Sequence, residues 1–508
     1  MNKLCKRECE SSCEYLLPDY LGDIKRILSI TAKATPSGKF ASDGQAQFSG
    51  VVCYEVLYSD FEGKLTHLST SSDYDICVPV ESDGYIDSAA EVRVANFSVR
   101  LTGPRKLVAK SIVSADVSIE FERSVECIGD AFSDGASAEV ASEEVSVNTS
   151  MFATSAEREY AEEAERFVGI GSEDVEIIAT SGAVRIIESV ATDGGVLVKG
   201  ELLITSIVRT ESQPPFAIKK VVPFEETVSA EGIYRDMPTI ADGYITSVTS
   251  GVADSDDGAS LTVNAIAELS VRAVKNKSLP IVTDAYMKEH DTVGTYEDFS
   301  YSSLVCAANS ESAFSCAVLR TEIGCEAVRE ILTLGCELRS LDKKVVHNGL
   351  EISGEAVFSG VACEINEENK PNYLPIKFTS PFCINVNCGC QIPTSAEVLV
   401  SIQALDADFS LDTDNLSIKC PVKVWYFVTE PKAIKRLVEC KIVGDAKYKS
   451  SPSTVTVYYP EKEETLFEVA KRFHTTVAKI ARDNELDEAA CTTGGAISLF
   501  GVKKLIIR

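Results

Sequence analysis

Three stretches of this chain repeat one pattern in one register. Glu351 to Ile365 reads Glu-Ile-Ser-Gly-Glu-Ala-Val-Phe-Ser-Gly-Val-Ala-Cys-Glu-Ile, and Gln47 to Tyr58 and Leu197 to Val208 echo it. When Gly50, Gly200 and Gly354 are superposed, an Ile-rich strand pattern falls 23 positions upstream in each copy, at Ile27, Ile177 and Ile331. A turn signal separates the two strands each time: Asp43-Gly44, Asp193-Gly194 and Asn348-Gly349. Such residues tolerate positive φ and close hairpins. The copies lie 150 and 154 residues apart (200 − 50 and 354 − 200), too long for a solenoid unit and the size of an independent domain. The chain therefore reads as a tandem array whose copies each fold alone.

Around these stretches the apolar residues recur with period two and are rich in β-branched types, the pattern of half-buried strands. Val51 to Tyr58, Val92 to Arg100 and Leu107 to Phe121 show it in the first copy, while Leu261 to Val274 and Leu416 to Val428 read as closing strands of the second and third. Phe216 to Phe224 matches Leu374 to Phe382, Ile218-Lys219 against Ile376-Lys377 and Pro223-Phe224 against Pro381-Phe382. The expected fold is mainly β: tandem antiparallel, sandwich-like repeat domains followed by a small α+β (βααβ) domain. The boundaries read as an amino-terminal extension over 1–22, repeats over 23–150, 151–305 and 306–448, and a terminal module over 452–508. Gly129 to Ser150, rich in Ser, Ala, Glu and Gly, reads as a linker. Glu157 to Phe167 reads as a charged surface helix. A glycine inside a strand marks a bulge or a close backbone approach, which is the expectation for Gly50, Gly200 and Gly354.

With 508 residues and 45% hydrophobic content the chain has apolar material for a core in each of three or four domains. Its net charge of −28 argues against nucleic acid and anionic membrane surfaces, which need clustered Lys and Arg. From Pro452 onward eight basic residues meet eight acidic ones, so the excess charge sits on the repeats. The first ten residues mix both charges and lack the apolar core of a secretory signal, and no apolar run reaches a membrane span. Seventeen Cys, an odd number, point to a reducing compartment where Cys serves as a small core residue.

Candidate chemistry in the repeats is sparse. Cys5, Cys9 and Cys13 recur every fourth residue and would share one helical face, but three thiols without a fourth ligand make a weak zinc signal. Cys383, Cys388 and Cys390 lack a matching second pair, and packing is the reading preferred. Placing Gly258 at the sixth position of a calcium loop puts Ala253 and Ser255 where acidic ligands belong, so Asp254 to Gly258 reads as a hairpin turn. The four His (His67, His290, His347, His474) fall outside any local catalytic or metal arrangement. No metal, cofactor or enzymatic activity is expected.

The carboxy-terminal module is the most legible part. Val455 to Tyr459 alternates like a strand, and Thr465-Leu466-Phe467-Glu468 is a capping box that starts a helix. Leu466, Val469, Ala470 and Phe473, then Val477 and Ile480, form one apolar stripe, and Lys504 to Ile507 supplies a last strand after a loop holding Gly494-Gly495. This order, with Thr465 to Phe473 followed by Val477 and Asn484, resembles a LysM domain over the last 55 or so residues. The resemblance implies N-acetylglucosamine-containing glycan binding between two loops, here Glu463, Glu464, Thr465, Leu466, Asn484, Glu485 and Leu486. Glu463-Glu464 replaces the usual Gly-Asp, and Lys471 and Arg472 lie on helix faces where a protein partner could engage them.

Upstream, Leu17-Pro18-Asp19-Tyr20, Asp23 to Leu28, Gly103-Pro104-Arg105-Lys106 and Val282-Thr283-Asp284-Ala285-Tyr286 resemble the repeat domain of spore-coat proteins of Clostridia. Such repeats followed by one LysM domain are the layout of the SipL-like family. That resemblance implies a non-enzymatic coat-assembly scaffold in the mother-cell cytoplasm at the forespore surface, docking through LysM on a SpoIVA-like coat ATPase. The alternative is a peptidoglycan-binding cell-wall protein.

Overall fold

The computed structural model describes residues 2–42, 44–80, 85–121, 132–133, 136–365, 371–445, 455–461, 464–486, 499 and 502–508. Strands run in order β1 (Asn2–Leu16), β2 (Ile24–Ser42), β3 (Gln45–Asp60), β4 (Leu65–Pro79), β5 (Tyr85–Gly103) and β6 (Lys106–Phe121). Then follow β7 (Phe132–Ser133), β8 (Ala136–Thr154), β9 (Arg158–Val168), β10 (Val175–Thr192), β11 (Gly195–Thr210), β12 (Phe216–Ser229), β13 (Thr239–Ser255) and β14 (Gly258–Met287). Next come β15 (His290–Leu319), β16 (Glu330–Val346), β17 (Gly349–Ile365), β18 (Pro371–Asn387), β19 (Glu397–Ala404), β20 (Asp408–Leu411) and β21 (Asn415–Asp445). The chain ends with β22 (Thr456–Tyr458), α1 (Leu466–Arg472), α2 (Val477–Asp483) and β23 (Leu505–Ile507). The fold is mainly β, in several antiparallel sheets.

The chain divides into two compact units, one of Met1–Glu122, Ser150–Lys275 and Val305–Thr429, the other of Arg123–Thr149, Asn276–Leu304 and Glu430–Arg508. The first unit contains three three-stranded meanders, β2-β3-β4, β10-β11-β12 and β16-β17-β18. Each packs face to face on a second sheet: β1-β6-β5, then β9-β14-β13, then β15-β21-β19. The cores lie between the paired sheets, Val52 and Tyr54 against Val113 and Val117, Val198 and Leu202 against Val263 and Ala265, Ile352 and Phe358 against Ile418 and Val422. In each sandwich the strand before the meander pairs with the last long strand after it, β1 with β6, β9 with β14, β15 with β21.

Several segments differ from the expectation. Residues 2–16 are not a helical extension but a strand, paired with β6 from Asn2↔Glu120 to Leu16↔Lys106. Cys5, Cys9 and Cys13 share a face all the same, packed on the first core, because a spacing of four suits a strand as well as a helix. The segment from Glu157 to Phe167 is β9, whose edge hydrogen bonds to β14 override its helix-favouring composition. From Ala136 the expected linker is β8; residues 129–131, 134 and 135 lie outside the described residues. The third hairpin turns at His347-Asn348, and Gly349 already pairs with Val346. The turn Asp256-Asp257 is a two-residue hairpin between Ser255 and Gly258.

The registers of the three meanders coincide. Gly50 pairs with Tyr74, Gly200 with Phe224 and Gly354 with Phe382, and a bulge interrupts the preceding strand beside each glycine. A second bulge sits 22 residues upstream, where Leu28, Ile178 and Leu332 are inserted without a partner between Ile27 and Ser29, Ile177 and Ala179, and Ile331 and Thr333. An inserted residue faces away from its own core. Leu28, Ile178 and Leu332 accordingly meet in one apolar junction with Leu57, Ile207 and Val361, the three residues opposite them.

A polar junction accompanies it. Lys423 of β21 donates to Asp242 of β13 at 2.6 Å and to the Gly243 carbonyl at 3.2 Å, and Trp425 Nε1 donates to the same carboxylate at 3.4 Å. The Arg272 guanidinium lies between the rings of Phe152 and Phe427, 4.5 and 4.2 Å from their centroids. Desolvation, followed by the charge of Lys423, lowers the Lys33 ammonium of β2 to about 8 despite the opposing field of Asp242 and Cys53.

Two measurements check these placements. An alanine Cβ at position 200 would stand 2.4 Å from the Arg185 carbonyl oxygen and 2.5 Å from Phe224 Cζ, so Gly200→Ala should cost about 1–3 kcal/mol in denaturant unfolding. Gly251→Ala, which meets only Thr262 Oγ1 at 3.6 Å, should be near neutral. For Lys33 the folded pKa is lowered, so below about 8 both states hold the proton and its burial cost is fully present. Between about 8 and 10.5 only the unfolded chain holds the proton, and the wild type gains stability as pH rises. The stability advantage of Lys33→Met over wild type should therefore shrink from pH 7 to pH 9.5; an advantage independent of pH would refute the lowered ammonium.

Candidate functional site: the carboxy-terminal module

The second unit carries the residues singled out for binding. β22 and β23 pair antiparallel, Thr456↔Ile507 to Tyr458↔Leu505, with α1 and α2 between them in sequence. Both arms of the Thr465–Glu468 capping box are present: Glu468 N donates to Thr465 Oγ1 at 3.2 Å and Thr465 N to Glu468 Oε2 at 2.7 Å. Thr476 caps α2 through Lys479 N at 3.0 Å. The core holds Leu466, Val469, Ala470, Val477, Ile480, Leu505 and Ile507, and also Phe467. Phe473 is only partly buried, edge-on to Tyr458 at 5.3 Å.

Phe467 is buried because this module packs within its unit on the strands β14 and β15. The Tyr286 ring meets Phe467 edge-on at 5.1 Å, and its hydroxyl donates to the Thr475 carbonyl at 2.6 Å; burial keeps that phenol protonated far above its usual range. Lys471 reaches Asp284 at 2.6 Å. His474 Nε2 lies 3.1 Å from Asp291, and its Nδ1 is 3.2 Å from the Met287 carbonyl. The segment Val282 to Tyr286, quoted above for its family resemblance, is thus the wall against which α1 rests.

This geometry sorts the expected binding residues. Glu464 is buried: it accepts from the Tyr458 hydroxyl at 2.8 Å, from Glu461 N at 3.1 Å and from the Arg472 guanidinium at 2.8 Å, so it braces the first loop from inside. Thr465 is a cap and Leu466 is core. Asn484 is spent on the backbone, donating to the Ile480 and Ile506 carbonyls and accepting from Ile506 N at 2.6 Å. Leu486 packs partly on the core. Lys471 does not present a free cation, since Asp284 neutralises it, and Arg472 is half-exposed but paired with Glu464. Glu485, at φ 56, is exposed. Glu463 and the Gly494-Gly495 loop lie outside the described residues.

The unclaimed surface lies elsewhere. Val455, Val457 and Tyr459, alternate residues along β22 and its two flanking positions, are 58, 51 and 70% exposed, and Lys479 of α2 is exposed as well. Period-two patterning could have found the first three, had their second face been asked for a partner. The expected Cys trio is also rearranged. Cys383 is exposed, while Cys388 and Cys390 lie against Cys306 of β15, whose thiol burial and these two neighbours push well up. Among the described residues no group of three or more His, Cys, Asp or Glu is placed to hold a metal ion, and no helix is long and apolar enough to cross a membrane.

The class is thus a mainly antiparallel β protein of packed sandwiches whose sequence ends in a small two-helix module. Residues 175–253, from the start of β10 into β13, match the family model described as SipL, SPOCS domain, which supports a SipL-like, sporulation-related protein. No curated protein matches the chain. No solved structure matches it either.

The burial difference between Phe467 of α1 and Phe473 at its C-cap is directly testable. Phe467→Ala should cost about 3–5 kcal/mol, whereas Phe473→Ala, starting from a half-buried ring, should cost less than half as much. Thermal unfolding of the two variants ranks them, and the reverse order would remove Tyr286 as the partner of α1.

Proposed function

We propose that the chain is a non-enzymatic scaffold of spore-coat assembly, made of three SPOCS-type sandwiches followed by a LysM-like module. It acts in the mother-cell cytoplasm at the forespore surface, and its terminal module docks on a SpoIVA-like coat ATPase. The observation that carries this reading is the SipL match over 175–253, together with the bulge registers that the first and third meanders share with the matched one. A copy at 24–79 and another at 330–387 make the same layout three times. The glycan-binding alternative loses support from the interior roles of Glu464 and Asn484, which leave little of the expected sugar groove to hydrogen-bond a saccharide.

The docking face follows from what is already occupied. Lys471 is held by Asp284, so a partner engages the β22 side, where Val455, Val457 and Tyr459 supply apolar contact. Capture of a SpoIVA-like ATPase and of purified peptidoglycan by the full chain decides between the readings. Val457→Ser with Tyr459→Ser should weaken capture of the ATPase about tenfold or more, as expected when aromatic and aliphatic anchors are lost. Retention on peptidoglycan without any binding to the ATPase would return the chain to the cell-wall class.

A further inference from the structure

The loop between β3 and β4 carries a charge that its counterpart does without. Asp60 closes it by accepting at Oδ1 from Glu62 N at 3.0 Å and from Lys64 N at 2.8 Å. In the second meander the equivalent residue (60 − 50 and 210 − 200) is Thr210, whose hydroxyl accepts from Gln213 N at 3.1 Å, so a neutral side chain suffices for the turn. Asp60 is 6% exposed, and its Oδ2 accepts no hydrogen bond from the described residues. A nearly buried carboxylate oxygen without a donor is unfavourable until a partner supplies one. Oδ2 points over Gly22, 2.9 Å from where a Cβ would stand, and Asp60 and Gly22 both line an open cleft of about 490 Å³ in the first unit.

The cleft is flanked by aromatic rings and edged with acid. Tyr20 and Phe61 line it while 83 and 67% exposed, and Asp23 and Glu62 stand beside them. In the second meander Glu211 takes the place of Phe61. The segment that carries Tyr20 is pinned, since Arg105 donates to the Pro18 carbonyl at 2.7 Å, to the Leu21 carbonyl at 3.1 Å and to Asp23 at 2.6 Å. Arg105 is committed in this way, and Lys64 to Glu176 at 2.9 Å, so among the described residues Asp60 Oδ2 and Glu62 are left to be matched. A guanidinium suits these groups together, because its flat faces stack on aromatic rings and its forked N–H groups serve carboxylate oxygens. From the open oxygen of Asp60, the two exposed rings and the acidic rim, we propose that this cleft docks an arginine side chain from a basic segment of a partner protein.

Fluorescence anisotropy tests this with the full chain, titrated into a fluorescein-labelled glycine–serine peptide holding two adjacent arginines and into the same peptide with citrulline in both places. Saturable binding of the arginine peptide is expected, with the uncharged citrulline peptide about tenfold weaker or more. Asp60→Asn keeps the oxygen that closes the turn and should weaken the arginine peptide about tenfold; its unfolding curve verifies that the fold stands. Tyr20→Ser removes a surface ring on which no core depends and should weaken binding about twofold to fivefold. Asp256→Asn, at an exposed acid in the β13–β14 turn, should leave the affinity unchanged, which separates the cleft from the overall negative charge of the chain. Equal affinity for the citrulline peptide, unaltered affinity in Tyr20→Ser, equal losses in Asp60→Asn and Asp256→Asn, or absence of saturable binding would each overturn the site.

Discussion

A strand that pairs without interruption offers one face to its own core and the other to water, so three sandwiches built from unbroken meanders would have no apolar reason to meet. The bulge after Ile27, Ile177 and Ile331 changes this. It keeps each isoleucine on its own sandwich, beside Tyr58, Val208 or the third core, and turns the next residue outward. Leu28, Ile178 and Leu332 then bury against one another and against Leu57, Ile207 and Val361. Burying a leucine or isoleucine side chain is worth about 1.5–3 kcal/mol, and here one local irregularity, repeated, turns that gain into association. The strand opposite records it: β3 and β11 alternate buried and half-buried positions until the junction, where three consecutive residues become buried.

The polar contacts between the sandwiches serve a different end. Burying Lys423 with Asp242 recovers through Coulomb attraction and two further hydrogen bonds roughly what desolvation costs, so such a pair adds little net stability. What it adds is register, because a carboxylate from one sandwich satisfied by Lys423 and Trp425 of another tolerates no slip. The same surroundings lower the Lys33 ammonium, chiefly by desolvation, so a second cation beside this pair is held at a cost. Apolar residues bring the three together, and the charged ones select a single arrangement.

Features governed by local chemistry were legible in the sequence. The glycines at 50, 200 and 354 stand beside bulges, the Asp256-Asp257 turn is a hairpin, and the Thr465–Glu468 box caps a helix. Features governed by partners far along the chain were not. Residues 2–16 and 158–168 look like an extension and a helix because their spacing of four and their Glu and Ala content are compatible with either period. Only the edge of β6 or β14, a hundred residues away, decides the matter. Phe467 was passed over for the same reason. On an isolated helix it falls off the apolar stripe, and Tyr286 that covers it lies 181 positions earlier in the numbering.

The candidate site in the terminal module illustrates how such distant contacts reassign function. Read alone, Lys471 and Arg472 are cations on a helix surface, and Glu464 and Asn484 are polar loop residues open to a ligand. In the folded unit Lys471 answers Asp284, Arg472 answers Glu464, and Asn484 ties α2 to β23. Each polar group recognised by type had already met its complement inside the protein, which is where polar groups that define a fold usually spend their hydrogen bonds. The groups left to meet another molecule are those whose own fold gives them nothing, the outer side chains along β22 and its flanks. Unpartnered apolar surface is therefore a better guide to recognition in this chain than residue type.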